Sequence, residues 1–313
     1  MSLSLTVVIP AYNAESYLSD AILSVLHQTR RAEEIIVVDD GSTDGTSEIA
    51  KGFGNNIRYI RQDNAGVIAA RNRGIAEARG DWIAFLDADD VWYPRKLEIG
   101  LPILESLPQP ALLCSRSVDF KDTPPPPPPI LKVCSPERVP LEQMLCGNPL
   151  GTSGVIVPRQ LLLDVGRFDP RYNHAEDWVV WLKLAAKGVA LYRTQQVLHA
   201  YRDGHASLGR RPFTYLRDLE LRILKDFFAQ HPALGSAKLQ REAFAGVHLR
   251  AALMHAQSDQ FYAALGEVWL SIRVWPRRLT NYSMHTRWPR LKLCLGLLRC
   301  SSKRCVIATR RRI

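Results

Sequence analysis

Short apolar runs recur through the first ninety residues, and each one empties into a polar, glycine-containing loop. Leu5-Thr6-Val7-Val8-Ile9, Ile35-Ile36-Val37-Val38, Ile57-Arg58-Tyr59-Ile60 and Trp82-Ile83-Ala84-Phe85-Leu86 predict strands. Runs without alternation are expected to be buried on both faces, as in a parallel sheet. Pro10 is expected to end the first strand, because it cannot donate to a ladder. Between the strands, apolar residues at helical spacing predict helices. The first of these carries Leu18, Ile22, Val25 and Leu26, with Asn13 in position to cap it, and a later one carries Arg71, Asn72 and Arg73. This β-α-β-α-β-α-β series implies a mostly parallel sheet wound with right-handed crossovers, with loops rich in Asp, Asn and Gly on one edge.

Further along, residues 111–120 predict another strand, and Thr123 leads into the unbroken run Pro124 to Pro129, an exposed insertion read as a stiff extended spacer. Gly151-Thr152-Ser153-Gly154-Val155-Ile156-Val157 reads as a glycine-flanked strand, followed by a helix with Leu161 and Leu162 and the turn Gly166-Arg167-Phe168-Asp169. His174-Ala175-Glu176-Asp177-Trp178 stands at a helix start, where acidic residues are electrostatically favoured. A short strand, 189–192, precedes Tyr201-Arg202-Asp203-Gly204-His205-Ala206-Ser207. From Phe213 onward the pattern is helical. The expected organisation is an α/β domain over 1–210, with a donor half to about 110, an acceptor half from 111 and a proline-rich insertion at 123–130, then a helical, basic region over 211–313.

Composition adds little until it is mapped. The chain has 313 residues, 46% of them hydrophobic and 23% charged, as in ordinary globular proteins. The formal net charge is +10, yet after Glu267 there are twelve basic residues and no acidic one, so the basicity belongs to the tail. Interleaved Trp269, Ile272, Trp275, Trp288 and several leucines read as a basic amphipathic element on an anionic membrane surface, with a solvated helix face as the alternative. No apolar run approaches the roughly 20 residues of a membrane span, and the first strand begins almost at Met1. The expected location is cytoplasmic, either free or peripheral on the inner face of the plasma membrane. Cys114, Cys134, Cys146, Cys294, Cys300 and Cys305 show no paired metal-binding spacing and are read as reduced thiols.

The candidate chemistry lies at the strand ends. Asp87-Ala88-Asp89-Asp90 follows the strand at Trp82, and in open α/β sheets ligands bind outside the carboxyl ends of the strands. Two carboxylates spaced as Asp-x-Asp can share one divalent cation that keeps its remaining positions for water and phosphate; an acidic turn is the plainer alternative. The loop Asp39-Asp40-Gly41-Ser42-Thr43-Asp44-Gly45-Thr46 lacks both the dinucleotide glycine signature and a phosphate-binding lysine. Its acidic residues suit a base edge, a ribose hydroxyl or a cation.

Four motifs in order then carry a specific resemblance: Pro10-Ala11-Tyr12-Asn13, Asp39 to Thr46, Asn64-Ala65-Gly66 with Ala70-Arg71-Asn72, and Asp87 to Asp90. Together they resemble family 2 inverting glycosyltransferases of the GT-A fold over roughly residues 4 to 207. The resemblance implies a nucleotide-sugar donor, with UDP the commonest, a Mn or Mg cofactor, and a glycan or lipid-linked acceptor. It places Asp39 on the base, with Pro10, Ala11, Tyr12 and Asn13 lining the pocket and Asp40, Asn64, Gly66, Arg71 and Ala88 among the donor contacts. It assigns Asp87 and Asp89 to ribose and metal, Arg202 and His205 to the diphosphate, a mobile lid or the metal shell, and Asp177 to the general base, with Glu176 as the fallback.

Two other functions fit the fold but not the motifs. A non-catalytic nucleotide-sugar binder has no need of both acidic pairs, and a nucleotidyltransferase making the sugar nucleotide needs a glycine-rich, basic triphosphate loop after the first strand, which Pro10 to Asn13 does not offer. Nucleic acid is excluded as a partner, because the loops at the sheet edge are acidic.

Overall fold

Every residue of Leu5–Ala11 is buried, and this strand, β1, is paired on both edges in a computed structural model that describes residues 4–130, 135–203, 213–277 and 279. It is followed by α1 (Leu18–Leu26), β2 (Glu34–Asp39), α2 (Thr46–Gly52), β3 (Arg58–Arg61), α3 (Val67–Glu77) and β4 (Trp82–Phe85). The expected alternation of strand and helix is present, and β3, β2, β1 and β4 pair in parallel. Helix α1 buries Leu18, Ala21, Ile22 and Val25, one stripe at helical spacing against the sheet.

Beyond β4 come β5 (Val91–Trp92), α4 (Lys96–Ser106), β6 (Ala111–Phe120), β7 (Glu137–Arg138), α5 (Leu141–Leu145), β8 (Val155–Pro158), α6 (Arg159–Asp164), α7 (Glu176–Ala186) and β9 (Ala190–Arg202). Among the described residues the strand order is β3-β2-β1-β4-β8-β6-β9-β5, with β7 beside β9. Strand β8 enters antiparallel between β4 and β6, and so sets the segment before it against the end of β4. The architecture is α/β, with a parallel-dominated sheet flanked by helices.

Several local expectations are corrected. Pro10 does not end β1, which pairs with β2 through Ala11 opposite Asp39. Leu86 N donates to Val8 O and Asp40 N donates to Ala11 O, so even-numbered residues face β4 and odd-numbered ones face β2. The missing N–H of Pro10 therefore points to the side where β4 has already left the ladder, since its last pair is Val8 with Phe85. Asn13 does not cap α1, which begins at Leu18 without a side-chain cap; Asn13 instead accepts from Thr43 N at 2.8 Å. The strand expected at 189–192 runs 13 residues to Arg202, because β6 supports it along its length despite two register shifts. The strand expected from Gly151 begins only at Val155, and Thr152–Gly154 is a single tight helical turn. Pro124 to Pro129 carries no regular secondary structure, and Tyr93 Oη donates to Pro125 O at 2.9 Å.

The chain divides into two units, residues 1–141 with 148–209, and residues 142–147 with 210–313. Within the second, α8 (Phe213–Gln230), α9 (Ala237–Gln257) and α10 (Phe261–Val274) form the helical region. Helix α8 buries Leu219, Ile223, Leu224, Phe227 and Phe228, as its spacing predicts. Glu267 on α10 accepts from Arg217 at 2.5 Å and from His248 at 2.7 Å, which balances its buried charge. Trp275 and Leu279 pack against Ala245 and Leu249 of α9. Trp275 thus belongs to the packing of this unit and not to a membrane-facing element, whereas Trp269 and Ile272 are exposed on α10. The remainder of the basic tail lies outside the described residues. Among those described, no helix is long and apolar enough to cross a membrane. Cys114 and Cys146 are buried free thiols, pushed up by burial to about 11 and about 12; the other four cysteines lie outside the described residues.

Candidate active site

The carboxyl ends of β1, β2 and β4 bring three loops together. The loop after β1 is fastened to the loop after β2: Asn13 N donates to Ser42 Oγ at 3.0 Å, Ala14 N to Thr46 Oγ1 at 2.8 Å and Gly45 N to Glu15 Oε2 at 2.8 Å. Gly41 has φ +76, and a Cβ there would lie 2.8 Å from Asn64 N, so only glycine lets the loop after β2 approach the loop after β3. Pro10 and Ala11 are buried beside this junction, and Tyr12 is 52% exposed at its rim.

Asp39 and Asp40 part company here. Asp39 accepts from Ser42 N at 2.8 Å, Tyr59 Oη at 2.6 Å and Arg61 Nη1 at 2.8 Å. Burial pushes its carboxyl up, but these hydrogen bonds and the Arg61 charge outweigh burial and hold it below the usual range. Asp40 accepts from Gln62 Nε2 at 2.7 Å, Ala65 N at 3.0 Å and Gly66 N at 2.7 Å. It is buried, and it shapes the loop that carries exposed Asn64 and Gly66.

At the end of β4, Asp87 accepts from Arg71 Nη2 at 2.7 Å, and the same guanidinium donates through Nη1 to Glu176 Oε1 at 2.6 Å. Burial alone would lower the pKa of Arg71; the Asp87 and Glu176 carboxylates overcome it and raise that pKa. The guanidinium also lies over the Phe168 ring, 5.6 Å from its centroid. Asp90 is buried, and burial together with the charges of Asp87 and Asp89 lifts it well above the carboxylate range. Such crowding of negative charge is what a divalent cation relieves, and hard oxygen donors suit Mn or Mg. Among the described residues no three metal-ligating side chains converge; Asp87 and Asp89 would supply two ligands to a bound cation and leave positions for phosphate and water. The residues present fit the cation.

Glu176 and Asp177 open α7 and are held differently. Glu176 is buried and engaged on both oxygens, by Arg71 and by His174 N at 2.9 Å. Asp177 Oδ2 accepts from Asn148 Nδ2 at 3.0 Å and Thr152 Oγ1 at 3.1 Å, and Oδ1 accepts from Trp178 N at 2.6 Å. Burial and the Glu176 charge lift its carboxyl to about 6, against the opposing effects of Arg71 and these hydrogen bonds. A carboxyl near neutrality that keeps part of its surface open has the properties of a general base.

Arg202 is placed otherwise than a lid would require. It is buried at the end of β9, and its guanidinium donates to the backbone oxygens of Asp89, Lys121 and Asp122 at 3.0, 2.8 and 3.0 Å. Stacked between Tyr17 and Phe120, it is a structural cation beneath the acidic turn. His205 lies outside the described residues. Sequence reading missed Asn148, Thr152 and Ser153. The signal for the last two is a pair of hydroxyl residues between glycines directly before a strand, which reads as strand edge until the turn is seen.

Residues 6–154 match Glycosyl transferase family 2. The "Putative teichuronic acid biosynthesis glycosyltransferase TuaG" of Bacillus subtilis (strain 168) is 31% identical over 203 residues, which cover 63% of this chain and 78% of that protein. The chain belongs to glycosyltransferase family 2. As a glycosyltransferase it is not the nucleotidyltransferase that the fold alone would allow. Its fold is shared with S. aureus TarS 1–349, solved in complex with UDP-GlcNAc, at TM-score 0.65 and 17% identity, covering 96% of this chain and 91% of that one. It is shared too with the mannosyltransferase PcManGT from Pyrobaculum calidifontis, solved with GDP-Man and Mn2+, at TM-score 0.58 and 17% identity, covering 97% and 82%.

Proposed function

We propose that this glycosyltransferase transfers a sugar from a UDP-linked donor to an acceptor hydroxyl with inversion, and that it needs Mn or Mg to do so. The observation that carries the reading is the link through Arg71, which sets the Asp87 turn and the Glu176-Asp177 pair beside one another in the same unit. Asp39, at the end of β2, faces the nucleobase, with Tyr12 at the rim of that pocket; Asp87 and Asp89 hold the ribose and the diphosphate end. Asp177 takes the proton of the acceptor hydroxyl as its oxygen bonds to the anomeric carbon. The bond from that carbon to the diphosphate breaks on the opposite face, and its electron pair leaves with the nucleotide. A bound cation would neutralise charge developing on the leaving diphosphate. Glu176 is bound to Arg71 and keeps the guanidinium and the base in place.

The teichuronic acid name of the Bacillus relative supports a cell-envelope glycan as product. The basic tail, with Trp269 exposed and Arg273 lying over its ring at 5.2 Å, supports docking on an anionic leaflet near such an acceptor.

The test is a panel of UDP- and GDP-sugars with Mn, Mg or chelator, scored by thermal stabilisation and by release of nucleoside diphosphate. Stabilisation and release by UDP-sugars that depend on the cation are expected. Equal stabilisation under chelator overturns the metal, and response to GDP-sugars alone overturns the donor.

A further inference from the structure

Thr152 and Ser153 are consecutive, both buried, and their hydroxyls reach in different directions. Thr152 Oγ1 donates to Asp177 Oδ2 at 3.1 Å. Ser153 Oγ accepts from Asp87 N at 3.1 Å and donates to Asp90 Oδ2 at 2.5 Å. One tight turn therefore touches both the carboxylate at the start of α7 and the acidic turn after β4.

The turn is anchored from beneath. Trp92 Nε1 donates to Ser153 O at 2.9 Å, and Lys96 Nζ donates to Gly154 O and to Ser115 Oγ, each at 3.0 Å. The Ser115 hydroxyl in turn meets His199 Nδ1 at 3.0 Å. A Cβ on Gly154 would lie 2.8 Å from Cys114 Sγ and 2.9 Å from Ser115 O, so the backbone sits directly on β6. Such a support cannot follow one partner without displacing the other.

We infer that Thr152 and Ser153 form a rigid clamp that fixes the distance between the proton acceptor and the diphosphate-binding turn, Thr152 as positioning residue for Asp177 and Ser153 for the Asp87–Asp90 turn. The inference rests on the reading of Asp177 as base and of the Asp87 turn as the diphosphate site. It also selects an atom. Among the described residues Asn148 and Thr152 both donate to Oδ2, while Oδ1 has one donor, Trp178 N, which leaves it a lone pair to receive the acceptor proton.

The two halves of the clamp have separable signatures. Thr152→Val removes a donor to the ionised carboxylate at nearly constant volume. Its kcat at neutral pH should fall on the order of 10- to 10²-fold, with the acid limb of the kcat profile moved to higher pH and calorimetric affinity for UDP with Mn unchanged. Thr152→Ser, which keeps the hydroxyl, should restore both limb and rate. Ser153→Ala should weaken UDP affinity with Mn and leave the acid limb in place. Asp177→Asn is measured alongside. If it loses activity while Thr152→Val moves neither rate nor limb, or if Thr152→Ser fails to restore them, the clamp is wrong and the base stands. If Asp177→Asn stays active, the base reading itself falls and the clamp with it. Unchanged UDP affinity in Ser153→Ala removes the Ser153 half.

Discussion

The guanidinium of Arg71 lies 2.6 Å from the carboxylate of Glu176, across 105 residues of chain. Both side chains are buried, 6% and 10% exposed, and Asp87 completes the bridge on the other side. Removing one member of a buried pair leaves an uncompensated charge, which costs far more than the pair contributes over an apolar replacement. Arg71→Ala should therefore destabilise the protein by about 3–5 kcal/mol, read from urea unfolding. Glu176→Gln keeps a hydrogen-bond acceptor for Arg71 and should cost about 1–3 kcal/mol. A loss below 1 kcal/mol in Arg71→Ala would mean that solvent reaches the bridge.

Substitutions at the same two residues should move the Asp177 carboxyl in opposite directions. The Glu176 charge raises the Asp177 carboxyl and the Arg71 charge lowers it. Glu176→Gln should thus shift the acid limb of kcat to lower pH, while Arg71→Met shifts it to higher pH. Shifts of the same sign in both variants would place the titrating group elsewhere.

For the wild type, Asp177 must be ionised to accept a proton, so kcat should rise with pH through about 6, the value to which burial and the Glu176 charge lift its carboxyl. Asp177→Asn should lose about 10²- to 10⁴-fold in kcat with UDP affinity nearly unchanged. Stability follows the opposite course. The unfolded carboxyl loses its proton near 3.9 and the folded one near 6, so the folded state binds more protons in between, and this contribution to stability falls as pH rises through that window. The difference in unfolding free energy between wild type and Asp177→Asn, measured at pH 4, 5 and 6, should carry that slope; a flat difference would remove the raised pKa.

Asp89→Asn should abolish the cation-dependent part of UDP binding while the circular dichroism and melting temperature stay near those of the wild type. Calorimetry with and without Mn measures it, and unchanged affinity would take Asp89 out of the metal site.

Docking of the basic tail on membranes predicts sedimentation with vesicles rich in anionic lipid, weakened by salt and lost when the chain is cut after Leu279. The cut belongs there because Trp275 and Leu279 pack against α9, so a shorter chain would disturb the helical unit itself. Equal sedimentation of the truncated protein would shift the contact to the exposed Trp269 and Ile272 face of α10.

What the amino-acid order determined by itself is local. Unbroken apolar runs specify strands covered on both faces, helical spacing selects the face of α1 that packs on the sheet, and the motifs after β1, β2 and β4 mark the carboxyl edge of the sheet and the family. These signals survive because each depends on neighbours within a few residues. Where a second strand or loop supplies the missing term, the local signal misleads. Pro10 continues β1 because its absent N–H faces a position that β4 has left, and β9 runs on to Arg202 because β6 pairs with it. The different surroundings of Glu176 and Asp177 were decided in the same way. The two adjacent carboxylates look alike in the chain, and only packing delivers Arg71 to one and Asn148 and Thr152 to the other. Ion pairing and proton affinity depend on distance and burial, and those are set by segments 25 to 105 residues apart in the chain.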